Sequence, residues 1–544
     1  MLGMMMNRPL MISSLIEHAA RFHGDIEIVS REPDRSLHRY SYADAHRRSK
    51  QLAKALIRLG VREGDRVATM AWNTHRHFEL YFGISGIGAV LHTINPRLFQ
   101  DQIRYMANHA EDQILFLDPS FVASVEKLAP ELETVRHYVI LTPRDQMPAT
   151  TLPNAICYEE LIEAETPDFD WPEFDEFSAS SLCYTSGTTG NPKGALYTHR
   201  STWIHALATS GIDVLGVSAR DCLCPVVPMF HVNAWGTPYS AAMVGCKLVL
   251  PGQYLDGESV CTLFEQEGVT VSMGVPTVWL GALKFATEKG IDFHKLKRLV
   301  IGGSAAPPAM IDTFAERYGV HVVHAWGMTE MSPLGTSAHP KHKHEAMPEA
   351  RHREIRESQG RPPAVVDLKI VDAEGNRLPH DGVAIGDLYV RGPCVISGYF
   401  KDEKATAEAF DKEGWFKTGD VCAIDPDGFM RITDRSKDVI KSGGEWISTI
   451  ELENAAMGHP GVAEAAVIGI RHPKWDERPL LIIVPKEGIA LDKPGLTAFL
   501  AERVAKWWLP DDIVTVAQIP HTATGKILKT KLREDFAQYR LPTA

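Results

Sequence analysis

The sequence predicts an α/β protein: a large N-terminal domain of layered sheets carrying a β-rich subdomain, with a small α+β domain at the C-terminal end. Three observations carry this. The chain has 544 residues, too many for one hydrophobic core, so at least two domains are required. In its first part, short apolar runs of strand type alternate with segments of helical periodicity, the pattern of parallel sheets covered by helices. From residue 360 the pattern turns to short strands separated by Gly, Pro and Asp, and near 435 it changes again.

Taken in order, Met1 to Phe22 is apolar but interrupted by Arg8 and Pro9, lacks a small-residue cleavage site and runs into an amphipathic helical pattern, so it belongs to the fold. Ser41, with Asp44 three residues on, opens a helical pattern that continues to Ile57. Arg66–Ala71 and Ile114–Leu117 are short apolar runs, and Lys247–Leu250, Val269–Ser272 and Arg298–Ile301 read as buried strands. Val365–Val371, Asp387–Arg391 and Phe429–Ile432 supply the β-rich subdomain, placed at 360–434. The polar segment 433–438 precedes new apolar patterning in Ile450–Ala456 and Ala463–Ile470. The large domain is therefore expected at 1–434 and the small one at 435–544, an ordinary domain size.

Composition narrows the class. Hydrophobic residues make up 44% and charged ones 23%, which fits neither a disordered chain nor a membrane bundle, and the net charge of −12 gives no electrostatic reason to expect nucleic acid. No run of eighteen apolar residues occurs. Cysteines at 157, 183, 222, 224, 246, 261, 394 and 422 have neither zinc nor disulfide spacing, which suits a reducing, cytoplasmic setting. The histidines of His339–Glu345, with His352 beyond, are interleaved with lysines that would repel a cation, so a solvated loop is expected there rather than a metal site.

The stretch Tyr184–Gly194 is the most informative. Thr185, Ser186, Thr188 and Thr189 offer hydroxyls, Gly187, Gly190 and Gly194 allow a tight backbone with N–H groups free to meet phosphate oxygens, and Lys193 adds a point charge. The parts suit a nucleotide triphosphate. They do not form a Walker A loop, because Pro192 precedes the lysine and Gly194 follows it.

Further motifs follow in order: Pro228–Trp235 (PMFHVNAW), Gly302–Pro307 (GGSAAP), Ala325–Glu330 (AWGMTE), Phe416–Asp420 (FKTGD), Asp434–Trp446 (DRSKDVIKSGGEW) and Thr524–Lys526 (TGK). Together with the loop they resemble the acyl-adenylate-forming (AMP-binding) superfamily, in its acyl-CoA synthetase branch. The pattern is similar to medium- and long-chain acyl-CoA synthetases and to bacterial ligases acting on 3-methylmercaptopropionate. The resemblance runs from mid-chain to the end; nothing before residue 180 is as sharp.

That resemblance implies ATP, Mg2+ and coenzyme A as cofactors and a carboxylic acid as substrate. It implies that the loop wraps the β- and γ-phosphates, with Thr185 and Glu330 at the magnesium and Thr329 at the α-phosphate. Trp326 would stack on adenine beside the flat backbone of Gly302, Gly303 and Ser304, with His324, Ala325, Gly327 and Met328 completing the nucleotide contacts. Asp420 would accept the ribose hydroxyls, with Arg435 a second contact. His231, Val232 and Trp235 would line the acid, His231 and Trp235 one helical turn apart. Lys526 would bridge carboxylate and ribose during adenylation, Lys437 would be the hinge of a mobile small domain, and Lys441, Gly443, Gly444, Glu445 and Trp446 would line the pantetheine tunnel. Each has a plainer reading: a tryptophan in a core, a satisfied core histidine, a solvated surface charge.

The implied reaction is a two-step CoA ligation through an acyl-adenylate, acting on a small to medium aliphatic acid; long-chain and aromatic acids stay open. Alternatives are a carrier-protein-loading adenylating enzyme, although no carrier domain follows Lys526 within the chain, a luciferase-type oxygenase, and a non-catalytic acyl- or nucleotide-binding relative. A homodimer is possible from the family.

Overall fold

The computed structural model describes the chain except Leu2, residues 186–190, 443–444, Ala490 and 523–525, and the side chains of 445 and 446. It divides into two compact units. The first comprises Met1–Ile301, Gly327–Gly335 and Gly392–Glu408; the second Gly302–Trp326, Thr336–Arg391 and Ala409–Ala544.

The first unit contains a seven-stranded sheet in the spatial order Ala155–Cys157, His137–Ile140, Ile114–Leu117, Arg66–Met70, Val90–Thr93, Ala179–Tyr184 and Gly194–Thr198. All neighbours are parallel except the last pair, where Gly194–Thr198 runs back along Ala179–Tyr184. Parallel strands buried on both faces read as continuous apolar runs, and Ile114–Leu117 is buried at every residue. Six strands of the first unit lie in a second sheet: Arg298–Ile301, Val271–Gly274, Cys222–Pro225, Lys247–Leu250, Glu27–Arg31 and, antiparallel at the end, Leu37–Ser41. Ser41 caps the helix Tyr42–Arg58 in a complete capping box with Asp44, as its spacing predicted. The strand expected at 269–272 begins two residues later: Val269 N closes the preceding helix onto Phe264 O, and Thr270 N bonds Cys222 O at the start of the neighbouring strand.

In the second unit, Asp367–Val371, Ile385–Arg391, Phe416–Ile424 and Met430–Arg435 form a four-stranded antiparallel sheet. Another sheet holds Glu445–Ile447, Ile440–Ser442, Asp476–Pro485 and Val462–His472, with Asp512–Thr515 parallel to Asp476–Pro485. Its long strands alternate: Ala465, Val467, Leu481 and Ile483 pack with Leu452, Leu496 and Leu500 of two helices, while Ala466, Ile468, Leu480 and Ile482 pack with Leu532 and Leu541. Both faces are covered, so this α+β element has a core of its own. Of the β-rich subdomain expected at 360–434, Gly392–Glu408 belongs to the first unit; the rest of it, and the segment expected from 435, belong to the second.

Candidate active site

In the first unit, the candidate phosphate loop leaves the strand Ala179–Tyr184 and returns as Gly194–Thr198. Its ends close on each other: Thr185 N donates to Lys193 O at 2.9 Å, and Lys193 N to Thr185 Oγ1 at 3.1 Å. Ser186, Gly187, Thr188, Thr189 and Gly190 lie outside the described residues. Gly194 is closely packed: a Cβ there would lie 3.0 Å from Leu182 Cδ1 and 3.1 Å from Phe400 Cβ, so a larger residue would have to displace a neighbour.

Thr329 and Glu330 occupy a short 3-10 turn, Thr329–Met331, buried at each residue. The turn is tied down on several sides: Tyr197 Oη donates to Thr329 O, and Ile396 N to Glu330 O at 2.9 Å. It is entered through Gly327, where a Cβ would fall 1.8 Å from Pro333 O, so only glycine fits. Gly327 and Met328 are themselves half-buried. The Glu330 side chain, 7% exposed, accepts a hydrogen bond from Tyr399 Oη at 2.8 Å.

Tyr399 is the residue sequence reasoning missed. Its ring carries the Lys193 ammonium at 5.0 Å from the centroid, and its neighbour Phe400 donates its N–H to Gly194 O at 2.9 Å. Burial, reinforced by the Glu330 charge, pushes its phenol well above the usual range, so it stays a donor. One aromatic side chain therefore joins the loop's cation to the buried carboxylate. The only sequence signal was an aromatic pair after Ser397-Gly398, which carries no chemistry by itself.

Glu330 and Thr185 offer oxygen donors of the kind a hard cation takes, and a buried carboxylate is costly unless matched by donors or a cation. Among the described residues no group of three His, Cys, Asp or Glu could hold a metal alone.

The segment Pro228–Trp235 corrects one expectation. His231 and Trp235 do not sit on a right-handed helical turn: Val232, Asn233, Ala234 and Trp235 have φ of +47°, +51°, +48° and +56°. The turn is left-handed. His231 and Trp235 are half-buried and Val232 is buried.

In the second unit, Gly302 is buried, Gly303 half-buried with φ +83°, and Ser304 exposed. His324 is 2% exposed, with Nδ1 against Glu357 O at 3.0 Å, and burial pushes it down to about 4, so it is neutral. Ala325 and Trp326 are half-buried beyond it. Trp326 Nε1 donates to Asp420 Oδ2 at 2.9 Å, while Arg435 Nε lies 3.1 Å from Asp420 Oδ1. Asp420 and Arg435 are cross-strand partners in the sheet, which explains how residues fifteen apart meet. Two motifs that were independent in sequence thus share one carboxylate.

Lys437 and Lys441 are exposed, and partial desolvation pulls the Lys437 amine below its usual value. Gly443 and Gly444 lie outside the described residues, and Glu445 and Trp446 are described as backbone, in the strand Glu445–Ile447. Lys526 is half-buried at the end of a closed loop: Thr522 N donates to Lys526 O at 2.7 Å, and Lys526 N to Thr522 Oγ1 at 3.1 Å.

Known proteins resemble the chain over nearly its full length. Residues 15–400 match the family model described as AMP-binding enzyme, and 451–526 the AMP-binding enzyme C-terminal domain. The chain is 53% identical over 538 residues to the 3-methylmercaptopropionyl-CoA ligase of Ruegeria lacuscaerulensis, covering 98% of this chain and 99% of the relative. It is 50% identical to the medium-chain-fatty-acid–CoA ligase of Ectopseudomonas oleovorans, covering 99% and 98%. Among solved structures it is similar to the anthranilate CoA ligase AuaEII in complex with anthranoyl-AMP, with a TM-score of 0.87 at 26% identity and 98% of both chains covered.

Proposed function

The chain belongs to the AMP-binding enzyme family, and we propose that it is an ATP-dependent acyl-CoA ligase whose acid is a small to medium aliphatic one, such as 3-methylmercaptopropionate or a medium-chain fatty acid. The class follows from relatives at 50% identity and above that are named CoA ligases. The observation that carries the chemistry is the Lys193–Tyr399–Glu330 contact, a cation and a buried carboxylate held at the closed base of a glycine- and hydroxyl-rich loop.

In the first step a carboxylate oxygen of the acid attacks the α-phosphorus of ATP, forming the acyl-adenylate as the bond to pyrophosphate breaks. Lys193 and the loop hydroxyls would bind the leaving pyrophosphate, and Thr329 would lie at the α-phosphate. Trp326 would cover the adenine beside Gly302–Ser304, and Asp420 with Arg435 would orient the ribose. Mg2+, held by Glu330 and Thr185, would neutralise phosphate charge when bound. Such fixed charges and donors do most of the work in a displacement of this kind. Lys526 would place its ammonium on the carboxylate and ribose oxygens.

In the second step the thiol of coenzyme A, as thiolate, attacks the acyl carbonyl and expels AMP. The 441–446 segment would receive the pantetheine after rotation about Lys437. His231, Val232 and Trp235 would line the acid. All eight cysteines are buried and unbridged, which supports a reducing, cytoplasmic setting; a homodimer is inferred from family resemblance alone.

The test is AMP release dependent on coenzyme A, measured across propionate, 3-methylmercaptopropionate, octanoate, palmitate and cinnamate. Preference for 3-methylmercaptopropionate or octanoate supports the reading. Preference for palmitate or cinnamate overturns the substrate, and no AMP from any acid overturns the activity.

A further inference from the structure

We propose that Asn233 is a positioning residue for acid recognition, which holds the left-handed turn Val232–Trp235 against the strand that feeds the phosphate loop. The inference rests on the reading of His231 and Trp235 as the acid side of the site.

Four successive non-glycine residues with φ between +47° and +56° are not a local preference. L-residues avoid this region because Cβ crowds the following carbonyl, and the penalty is greatest for a β-branched side chain such as Val232. Of the four, only asparagine adopts it with any ease. Such a run persists only where its surroundings over-determine it, and strain of this kind clusters where function needs a fixed geometry.

The surroundings are specific. Asn233 is 3% exposed; its Nδ2 donates to Ser181 Oγ at 3.0 Å, and its Oδ1 accepts from Cys183 Sγ at 3.5 Å, with Tyr81 Oη 3.4 Å away. The approach to the turn is pinned separately: buried Asn73 donates to Pro225 O at 2.9 Å and Val227 O at 2.8 Å and accepts from Met229 N at 2.7 Å, and Tyr81 Oη donates to Met229 O at 2.5 Å. On the exit side Gly236 N donates to Asn233 O at 2.9 Å, and a Cβ at Gly236 would lie 2.6 Å from His205 Nδ1. The path in and out of the turn is fixed without the Asn233 side chain. The turn itself is anchored through the carboxamide.

Ser181 and Cys183 sit in the strand Ala179–Tyr184, and the next residue, Thr185, closes the base of the phosphate loop on Lys193. The acid-side motif and the phosphate loop therefore share one strand as their foundation, with Asn233 as the link. An amide that satisfies donor and acceptor at once in a buried place cannot be replaced by an apolar residue without removing the donor to Ser181 Oγ and the acceptor for Cys183. Its loss releases the turn while the loop keeps its own closure.

The experiment uses the full chain and the variants Asn233→Ala and Asn233→Gly. The Michaelis constants for acid and for ATP are measured separately with propionate, 3-methylmercaptopropionate and octanoate, and melting temperatures are recorded. Glycine accepts positive φ without strain but lacks the amide, so Asn233→Gly keeps the test alive if Asn233→Ala fails to fold. The expected result in both is a rise of about tenfold in acid KM, with flattened selectivity among the three acids and ATP KM within about twofold. Wild-type acid KM and selectivity in Asn233→Gly would overturn the inference, as would equal losses for acid and ATP. If the wild-type chain forms AMP with no acid, the functional reading fails first and takes this inference with it.

Discussion

Trp326 and Asp420 are joined by an indole N–H···carboxylate bond of 2.9 Å, with Arg435 on the carboxylate's other oxygen at 3.1 Å. A carboxylate has about four acceptor sites, so both contacts leave capacity for a diol. Asp420→Asn should lower kcat/KM for ATP by roughly 10–100-fold, the worth of one or two charge-assisted bonds. Trp326→Phe keeps an aromatic face and removes only the N–H, so its loss in pyrophosphate exchange should stay below about tenfold. Equal losses would mean the indole matters for more than orienting Asp420.

Tyr399→Phe removes the hydroxyl from Glu330 and leaves the ring beneath Lys193. The Mg2+ concentration for half-maximal exchange should rise by roughly tenfold, as expected for one hydrogen bond to a charged group, and Mn2+ titration followed by electron paramagnetic resonance should show the same weakening. Unchanged metal affinity would refute the role of the phenol.

Lys526→Ala should abolish acyl-adenylate formation while sparing thioester formation from supplied acyl-adenylate, by about 10²-fold against less than threefold. Rapid-quench assays of the two half-reactions separate these. Equal damage to both would remove Lys526 from the first step.

Lys529, three residues further along the chain, is a structural counterpart. Burial works against its charge, but Glu453 at 2.8 Å and Asp434 more than offset this and hold its ammonium above the usual value. Asp434 in turn accepts from both the N–H and the hydroxyl of Thr449, each at 2.7 Å. Lys529→Ala strands two buried carboxylates and should cost about 3–5 kcal/mol, seen as an early transition in chemical denaturation. A shift within error would show that water reaches the network.

His205, 2% exposed, is pushed down to about 3 by burial, and its Nε2 accepts from Leu334 N at 3.3 Å. Its native pKa lies below the ordinary 6.5, so the unfolded chain binds the extra proton between these values. The stabilisation is complete above pH 6.5 and is lost as pH falls toward 3. His205→Gln, which can still accept from Leu334, should flatten the acid limb of melting temperature against pH between 6.5 and 4; an unchanged slope would assign that limb to other groups.

The fold was legible wherever one residue type repeats at one period. Ile114–Leu117, Lys247–Leu250 and Arg298–Ile301 occur as strands with the boundaries read from the chain, because residues of a strand buried on both faces form a continuous apolar run, entered in the last two from a half-buried Lys247 or Arg298. The cap at Ser41 was legible because its donor and acceptor lie three residues apart. Val232–Trp235 was misread, since of Val-Asn-Ala-Trp only the asparagine tolerates positive φ; the run of four is imposed by Asn73, Tyr81, Ser181 and His205, which come from elsewhere in the chain.

By itself the sequence determined the fold class, the family and the residue types at each candidate position, because these depend on local spacing and on side-chain chemistry that does not change on folding. Tertiary structure alone decided that Tyr399 bridges Lys193 and Glu330, that Trp326 and Arg435 share Asp420, and that His231 is carried on a left-handed turn. The reason is physical: each is a contact between residues far apart in the chain, or a backbone state forced by such contacts. No local preference encodes either.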